Sequence, residues 1–405
     1  MIAAGKRVAV LGAGIMGSSL ALFLARRGVH VALFDKCDEP LACASRWNEG
    51  KIHLGFTYGA DPSLRTARQL IPGGLAFSRL VADLVGCDIG GVATPADDIY
   101  LIHRRSVADA AAVWQTFDAV GSLVRAHPHA RDYFSGVSEA GPRRLSDQEL
   151  SRLADPDAIV AGFKTPEKSV NTQWVADRFV DALRAEPRIE LRMGVTVAAA
   201  RPRDGVDGPW RVQGAPNVDE AYDVVVNALW EGRLAIDRTA DVEPQGKWSH
   251  RYRLGVFART DRELDVANCV VAVGAFGDLK NYDGRHFYLS WYPAGLVAEG
   301  SGISLAEPAA LDSMGESRLV AAVRENLTHL MPWTARIFEA AEELKVRGGY
   351  VFAQGQGSLS DPASTLHRRD RFGMRRNGNY FSVDTGKYST APWLAENLAR
   401  EICAG

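Results

Sequence analysis

Apolar residues near the start of the chain form two short runs separated by a turn and a longer segment. Val8–Leu11 is the first run, and the largely apolar Val29–Phe34 is the second. Between them lie the glycine-rich turn Gly12–Gly17 and an alanine- and leucine-rich segment that continues to Arg27. Short apolar runs bounded by turn residues are typical of buried strands, and the longer segment suits a helix of about four turns. The order predicts a strand–turn–helix–strand unit over residues 8–36.

The same periodicities divide the remainder of the chain. Helices are predicted over 64–85 with a break near 72–74, over 318–341 with a break at 331–332, and over 107–124, 145–153, 175–185 and 391–402. Strands are predicted over 98–102, 189–197, 210–212 and 222–228, and through much of 247–300. Residues 378–384 are predicted as a turn-forming stretch. The block 247–300, together with 91–103, is expected to form an antiparallel sheet inserted into the α/β part.

Composition and charge narrow the classes of protein. The chain has 405 residues, of which 46% are hydrophobic and 24% charged, and its net charge is −2. A nearly neutral chain of ordinary composition gives no reason to expect nucleic acid or an anionic membrane as a partner. The apolar runs are too short to cross a membrane, and a strand this close to Met1 leaves no room for a signal peptide.

The cysteines bear on compartment and metal binding. Five are present and scattered along the chain: Cys37, Cys43, Cys87, Cys269 and Cys403. They have neither the spacing of zinc ligands nor that of a disulfide framework. We therefore expect no bound metal and a cytoplasmic location, whereas no pattern bears on the oligomeric state.

The first turn has the G-x-G-x-x-G pattern of a dinucleotide site. Gly12 permits the tight turn, Gly14 lets the backbone approach a pyrophosphate, and Gly17 allows the helix and strand to pack closely. The helix N-terminus presents free N–H groups and the positive end of its dipole to the phosphates. Asp35, at the end of the second strand, is placed to accept hydrogen bonds from an adenosine ribose. The motif leaves NAD and FAD both open.

Three segments together resemble the D-amino-acid-oxidase-like (DAO) superfamily of FAD-dependent oxidoreductases. The first is the N-terminal unit. The second is Ser45–Tyr58, whose core Gly50–Gly55 is similar to the G-x-I-H-x-G segment of L-2-hydroxyglutarate and glycerol-3-phosphate dehydrogenases. The third is Gly378–Leu398, where Thr385–Thr390 is similar to the G-G-K-W-T-T segment of the glycerol-3-phosphate branch. Tyr222–Gly232 stands where the family has a strand leading to an Ala-Thr-Gly turn.

This resemblance implies a cofactor and a fold. It favours non-covalently bound FAD over NAD, because NAD-dependent 3-hydroxyacyl-CoA dehydrogenases share the Gly-Ile-Met-Gly wording but need neither later segment. It implies an α/β fold in which a Rossmann-like FAD-binding domain is interleaved with an antiparallel-sheet (α+β) substrate domain. The FAD-binding domain is expected to comprise 1–90, 155–235 and 345–405, and the substrate domain 91–154 and 236–344.

The residues expected to bind FAD come from well-separated segments. Ser45 and Arg46 are expected to serve the pyrophosphate, and the backbone around Gly50 and Lys51 to contact the flavin ring. Backbone N–H groups that precede the last helix are expected near flavin N1 and O2, where reduction builds negative charge. The full set is Gly12, Ala13, Gly14, Ile15, Met16, Gly17, Asp35, Lys36, Ser45, Arg46, Asn48, Gly50, Lys51, Ile52, Val197, Ala228, Leu229, Gly386, Lys387, Tyr388, Ser389 and Thr390.

Four residues are expected at the chemistry. His53 matches a family histidine near the flavin, and a histidine is able to take a proton from a substrate hydroxyl or amine near neutrality. Lys387 would add a full positive charge at the flavin. Arg285 and Tyr288 lie beside the strand that lines the substrate pocket in family members.

Two departures from the family pattern put the substrate in question. Tyr350 stands where many members carry a substrate-binding arginine, with Arg347 three residues earlier. Trp230 stands where the family's Ala-Thr-Gly turn has its glycine. Both changes are expected to reshape the pocket.

The sequence therefore predicts an FAD-dependent oxidoreductase that moves a hydride from a C–H bond of a small amino- or hydroxy-substrate to flavin N5. Oxygen or an electron carrier would reoxidise the flavin. Two alternatives remain at this point: an NAD-dependent dehydrogenase built on the N-terminal unit, and a flavin-binding protein without catalytic activity.

Overall fold

The computed structural model describes residues 6–134, 136–304 and 308–404. Within these ranges the strands are β1 Arg7–Leu11, β2 His30–Phe34, β3 Lys51–Ile52, β4 Asp98–His103, β5 Arg143–Arg144, β6 Ile159–Lys164, β7 Lys168–Ser169, β8 Ile189–Arg192, β9 Thr196–Pro202, β10 Trp210–Ala215, β11 Val218–Tyr222, β12 Val224–Asn227, β13 Trp248–Thr260, β14 Asn268–Ala272, β15 Gly277–Asn281, β16 His286–Trp291, β17 Leu296–Ser301, β18 Ala341–Gln354, β19 Gly373–Asn377 and β20 Tyr380–Asp384. The helices are α1 Ile15–Ala25, α2 Arg65–Val85, α3 Ala110–Ala126, α4 Asp147–Leu153, α5 Thr172–Ala185, α6 Arg233–Thr239, α7 Tyr292–Gly295, α8 Ser313–Leu330, α9 Ala335–Glu339 and α10 Ala391–Ala404.

The N-terminal unit forms as predicted and lies at the centre of a six-stranded sheet. Its strand order is β19-β20-β12-β1-β2-β8, parallel except for the β19–β20 hairpin. Every residue of α1 is buried, and α1 packs against α10 from the other end of the chain. Helices pack on one face of this sheet and the strands β9, β10 and β11 on the other, so both faces are buried, which explains the continuous apolar runs of β1 and β12.

The strand-rich middle of the chain forms a nine-stranded sheet in the order β17-β13-β16-β15-β14-β4-β6-β5, with β18 also paired to β13. It is antiparallel except where β14 runs parallel to β4, so the expected antiparallel sheet is in fact mixed. The mixed α/β architecture with parallel and antiparallel sheets confirms the predicted fold class. A separate three-stranded sheet has the order β11-β10-β9.

Two strand predictions were wrong in detail. The segment predicted as one strand over 189–197 divides at Gly194, whose φ of +70° turns the chain, so β8 joins the six-stranded sheet and β9 the three-stranded one. Residues 378–384 are not simply a turn: Gly378 turns the chain with a φ of +56°, and β20 then enters the sheet fully buried. Because β20 contains polar and small residues, its sequence pattern did not predict a buried strand.

The domain boundaries stay a prediction. The strand β6 lies wholly, and β18 mostly, within the predicted FAD-binding segments. Both strands nevertheless pair within the nine-stranded sheet rather than the six-stranded one. Nowhere in the described ranges is there a helix both long enough and apolar enough to span a membrane.

The break predicted near 72–74 is absent, because α2 runs unbroken through Pro72. Gly73 and Gly74 instead allow close packing. A Cβ on Gly74 would lie 2.2 Å from the carbonyl oxygen of His53, and one on Gly73 would lie 2.8 Å from Cα of Thr390. The glycines therefore let α2 support two segments that are predicted to bind the cofactor.

This packing predicts that Gly74→Ala destabilises the protein. Alanine favours a helix by about 1 kcal/mol over glycine, but overpacking against rigid backbone costs about 1–3 kcal/mol, so we expect a net loss of up to about 2 kcal/mol. Urea denaturation measures the free energy of unfolding. The control is Gly91→Ala, where an added Cβ meets open space. An unchanged midpoint for Gly74→Ala would show that this contact is not tight.

Candidate functional site

A cavity of about 600 Å³ lies where the carboxyl ends of β1, β2 and β12 face the nine-stranded sheet. This volume is in the range of small-molecule and cofactor sites. The structure brings most of the predicted site residues to its wall, from distant parts of the chain. Those that line it are Gly12, Gly14, Ile15, Met16, Asp35, Lys36, Ser45, Asn48, Lys51, His53, Val197, Ala228, Leu229, Tyr288, Gly386, Lys387 and Tyr388.

Eight predicted residues lie outside the wall: Ala13, Gly17, Arg46, Gly50, Ile52, Ser389, Thr390 and Arg285. Most of them hold the wall in place. A Cβ on Gly17 would lie 1.8 Å from the carbonyl oxygen of Gly12, which is the close helix–strand approach that the motif predicts. Arg46 is paired with Asp177 at 2.7 Å and lies outside the cavity wall, so its expected contact with the pyrophosphate stays a prediction.

One end of the cavity is built by the glycine turn. Gly12 has a φ of +99°, and a Cβ there would lie 2.6 Å from the carbonyl oxygen of Ala228. Asp35 accepts hydrogen bonds from the backbone N–H of Ala13 at 2.7 Å and of Cys37 at 2.9 Å. A carboxylate has further lone pairs, so Asp35 is still able to accept from a ribose. Ser45 Oγ accepts from the Ile15 N–H at 2.9 Å and fixes the loop over the start of α1.

The other end is built by the turn before α10. Gly386 has a φ of +66°, and its N–H donates to Asp384 at 2.9 Å. Lys387 lies over the Tyr58 ring, with Nζ 5.5 Å from the ring centroid. Ser389 and Thr390 are buried. Thr390 Oγ1 donates back to the carbonyl of Lys387 at 2.7 Å, so these two side chains shape the turn rather than face the cavity.

A buried ionic cluster lies behind the cavity wall. Asp98 on β4 accepts from Lys51 on β3 and from Lys280 on β15, and the second bond is 2.5 Å long. Asp98, Lys280 and Glu167 have no exposed surface, and Lys51 is 3% exposed. Burial would raise the pKa of Asp98, but the two ammonium groups outweigh it and lower that pKa. Burial in turn lowers the pKa of Lys280, although Asp98 opposes that shift.

His53 lies between this cluster and the cavity. Its backbone N–H points at Ser389 Oγ at 3.3 Å, and its Nδ1 lies 3.4 Å from Thr57 Oγ1. The Thr57 hydroxyl continues to Tyr100 at 2.8 Å. Burial is the main cause that lowers the pKa of His53 well below its usual value, and the positive charges of Lys387 and Lys51 add to it. The imidazole is therefore neutral at pH 7 and able to accept a proton.

The sheet side of the cavity holds Tyr288 and Arg253. Tyr288 lies against Gly255, where a Cβ would be 2.6 Å from its ring. The Arg253 guanidinium stacks 4.1 Å from the centroid of the Tyr292 ring. Its Nε is buried and has no hydrogen-bond partner among the described residues. Sequence reasoning missed Arg253, although alternation along β13 puts Arg253 and Gly255 on one face.

The position of Arg285 does not support the catalytic role that the sequence predicts for it. It lies on the turn between β15 and β16, its side chain is 52% exposed, and it is 4.0 Å from Glu263. Three residues of separation place Arg285 outside the strand that carries Tyr288, and the two do not converge. We therefore replace Arg285 by Arg253 as the cavity arginine.

The two departures from the family pattern meet in space. Trp230 adopts the left-handed conformation with a φ of +57°, which explains why relatives use glycine at this position. Its indole N–H donates to the carbonyl of Tyr350 at 2.9 Å. Both residues line the cavity, so the indole and the phenol ring form one wall where the family pattern has a smaller turn and an arginine.

The fold and the site define the class: a protein that binds an extended dinucleotide between a Rossmann-like sheet and a larger sheet. The sequence model of the FAD dependent oxidoreductase (DAO) family matches residues 7–349. The chain belongs to this family. It is an FAD-dependent oxidoreductase, and the alternatives of an NAD-dependent dehydrogenase and an inactive flavin-binding protein find no support in the match.

Solved structures share the fold at low sequence identity. Glycine oxidase from Geobacillus kaustophilus is 16% identical with a TM-score of 0.67, over 98% of this chain and 94% of that one. NikD, an unusual amino acid oxidase essential for nikkomycin biosynthesis, is 12% identical with a TM-score of 0.66, over 98% and 95%. L-alpha-glycerophosphate oxidase from Mycoplasma pneumoniae, with FAD bound, is 13% identical with a TM-score of 0.63, over 98% and 94%. No curated protein sequence matches the chain.

The residues present fit FAD. Glycine at position 12 lets the turn lie directly against the backbone at Ala228, which any side chain would strike, so the turn and Ala228 together border one end of the cavity. At the opposite end the buried Tyr388 hydroxyl has no hydrogen-bond partner among the residues described. One continuous cavity joins these ends. In the same described ranges, no group of three or more His, Cys, Asp and Glu side chains is placed to hold a metal ion.

The lowered pKa of His53 predicts its titration. We expect its imidazole to stay neutral throughout the range of about pH 6–8 in which histidines usually titrate. The positive charge of Lys387 is the second largest cause of the lowered pKa of His53. The substitution Lys387→Met removes this charge, which favours the imidazolium and raises that pKa. Histidine-selective NMR, with His53 assigned from His53→Gln, measures both. The control is Lys345→Met, at an exposed lysine paired with Glu343. A wild-type His53 that titrates normally would contradict the burial argument.

Proposed function

We propose that this enzyme oxidises a small anionic substrate by hydride transfer from a C–H bond, bearing an amine or a hydroxyl group, to N5 of non-covalently bound FAD. The observation that supports this most is that His53, Lys387 and Arg253 line the same cavity, with Lys387 close enough to His53 to lower its pKa. These are a neutral base, a cation at the turn before α10, and a half-buried arginine whose buried Nε has no hydrogen-bond partner among the described residues.

Charge around these residues favours an anionic substrate. Lys51, Arg253, Arg369 and Lys387 line the cavity there, and the acid among them is Glu49. Burial would raise the pKa of Glu49, but Lys387, Arg253 and Lys51 outweigh it and lower that pKa. A guanidinium whose donors match a planar carboxylate binds it in two parallel hydrogen bonds. We assign the binding of the substrate's anionic group to Arg253.

The remaining residues orient the substrate and move a proton. His53 is proposed as the base that takes the proton from the amine or hydroxyl, because its ring is neutral and Thr57 holds its Nδ1 side. Tyr288, Trp230 and Tyr350 form apolar walls that exclude water. FAD, when bound, supplies the hydride acceptor at N5. The positive N-terminal end of α10 and the Lys387 charge are proposed to stabilise the negative charge that reduction builds.

The names of the similar structures do not decide whether the substrate of this enzyme is an amine or a hydroxyl compound. Glycine oxidase, iminodiacetate oxidase and L-proline dehydrogenase act on amines, whereas L-alpha-glycerophosphate oxidase is named for a hydroxyl substrate. The carboxylate of Glu49 in the cavity is a suitable partner for a substrate ammonium group. Oxygen or an electron carrier as acceptor, and a cytoplasmic location, remain proposals that rest on the sequence.

An anaerobic screen tests this function. The purified holoenzyme is mixed without oxygen with amino acids, 2-hydroxy acids, glycerol phosphate and, as controls without an anionic group, uncharged polyols and cationic simple amines. We expect bleaching of the oxidised flavin spectrum by members of the anionic sets alone. Bleaching only by the uncharged or cationic compounds would contradict the assigned charge, and bleaching by none would contradict the proposed reaction.

The same assay separates Arg253 from Arg285. In Arg253→Met the loss of charge-assisted hydrogen bonds to the substrate is expected to raise its half-saturating concentration about 10- to 100-fold, with a smaller change in the limiting reduction rate. Arg285→Met is the matched control and should behave as the wild type, because its side chain lies outside the cavity. The reverse result would restore the prediction made from sequence.

A further inference from the structure

Two cysteines that the proposed reaction does not use meet at the adenosine end of the cavity. Cys37 Sγ and Cys43 Sγ lie 3.2 Å apart, and both residues line the cavity. The Cys43 side is exposed and Cys37 is half-buried, so a small oxidant in solvent reaches the pair. A disulfide requires the sulfurs to approach by only about 1 Å more.

The surrounding backbone holds the two thiols in this position. Cys37 follows Asp35, which accepts its N–H at 2.9 Å, and the carbonyl of Cys37 accepts from Gly194 at 2.9 Å. The carbonyl of Cys43 accepts from Arg46 at 2.9 Å. Between them, Leu41 is bonded to Ala13 in the glycine turn at 2.9 Å. The loop 37–43 thus joins the ribose-binding acid to the turn that carries Ser45.

We propose that Cys37 and Cys43 are a peroxide-sensitive thiol pair, and that their closure to a disulfide tightens the loop 37–43 over the adenosine end of the FAD site. The Cys43 thiolate attacks hydrogen peroxide, the O–O bond breaks, and Cys43 becomes a sulfenic acid while hydroxide leaves and takes a proton from solvent to become water. The Cys37 thiol then attacks the Cys43 sulfur, the S–O bond breaks and a second water leaves.

Exposure assigns the order of these steps, and the charges around the pair agree with it. Cys43 is the exposed thiol, whereas Cys37 is half-buried. The hydrogen bond between the two thiols is the largest cause that lowers the pKa of Cys43, and Lys36 adds to it. The same bond, with burial and Asp35, raises the pKa of Cys37. The lower-pKa, exposed thiol is the one that reacts first with peroxides.

Differential alkylation of the holoenzyme tests the pair. The reduced protein is treated with hydrogen peroxide, its free thiols are blocked with iodoacetamide, and it is digested with trypsin without reduction. Cleavage after Lys36 and Arg46 gives a peptide, 37–46, that contains both cysteines. We expect this peptide to carry no alkyl group and to be two hydrogens lighter than its dithiol form, while Cys87 and Cys403 stay alkylated. A peptide 37–46 that keeps both alkyl groups would overturn the proposal.

Single variants identify the roles and do not depend on FAD chemistry. Cys37→Ser should leave Cys43 as a sulfenic acid that dimedone traps, and Cys43→Ser should leave Cys37 alkylated. Cys87→Ser is the matched control and should still form the disulfide. Dimedone labelling of Cys37 in Cys43→Ser, equal to that of Cys43 in Cys37→Ser, would overturn the order of reaction.

FAD retention tests the coupling to the cofactor site. Oxidised holoenzyme is expected to release FAD several-fold more slowly during dialysis than reduced holoenzyme, and the difference should vanish in Cys43→Ser. A disulfide that forms without changing the release of FAD would overturn the tightening of the loop and leave the thiol pair standing.

Discussion

The active-site end of this enzyme depends on one buried carboxylate held between two lysines. Asp98 belongs to the nine-stranded sheet, as does Lys280, whereas Lys51 belongs to the segment that carries His53. Buried charges are tolerated only when paired, and removing one partner of a buried pair costs about 3–5 kcal/mol. Glu167 extends the constraint, because it accepts from Tyr100 at 2.5 Å and from the Leu54 N–H at 2.7 Å. The segment 51–54 therefore has one permitted position against the sheet.

The shape of the cavity depends on this attachment of the segment 51–54 to the nine-stranded sheet. The βαβ unit fixes the pyrophosphate end, and the turn at Gly386 fixes the other end through α10, which packs on α1. The segment with His53 lies between them, clamped on one side by the ionic cluster and supported on the other by Gly74 of α2. Because all three parts are anchored to buried structure, His53, Lys387 and Arg253 keep their relation to one another before any ligand arrives. Pre-organisation of this kind is what orientation of a C–H bond over a flavin requires.

Local signals in the sequence were sufficient for the parts of the fold that depend on neighbours in the chain. The glycine turn, α1 and the apolar strands follow from short-range spacing, and the resemblance around His53 and Lys387 indicated two further segments that line the cavity. Contacts between residues that lie far apart in the chain could not be predicted from the sequence. The sequence indicates Arg285 through its nearness to Tyr288, and only the fold shows that Arg253 lines the cavity while Arg285 lies exposed on a turn. The residue types near 72–74 predict a helix break. The close contacts that require Gly73 and Gly74 are with Thr390 and His53, which lie far away in the chain. The contact between Cys37 and Cys43 likewise depends on the loop's attachment to Ala13.

The central claim is that this cavity holds FAD through its own shape and not through a covalent bond. Acid precipitation of the purified protein, followed by chromatography of the supernatant, measures it directly. The account predicts release of FAD at one molecule per chain, with no NAD and no flavin left on the precipitated protein. Recovery of NAD in its place, or a protein that holds no dinucleotide and takes up none from added FAD, would contradict it.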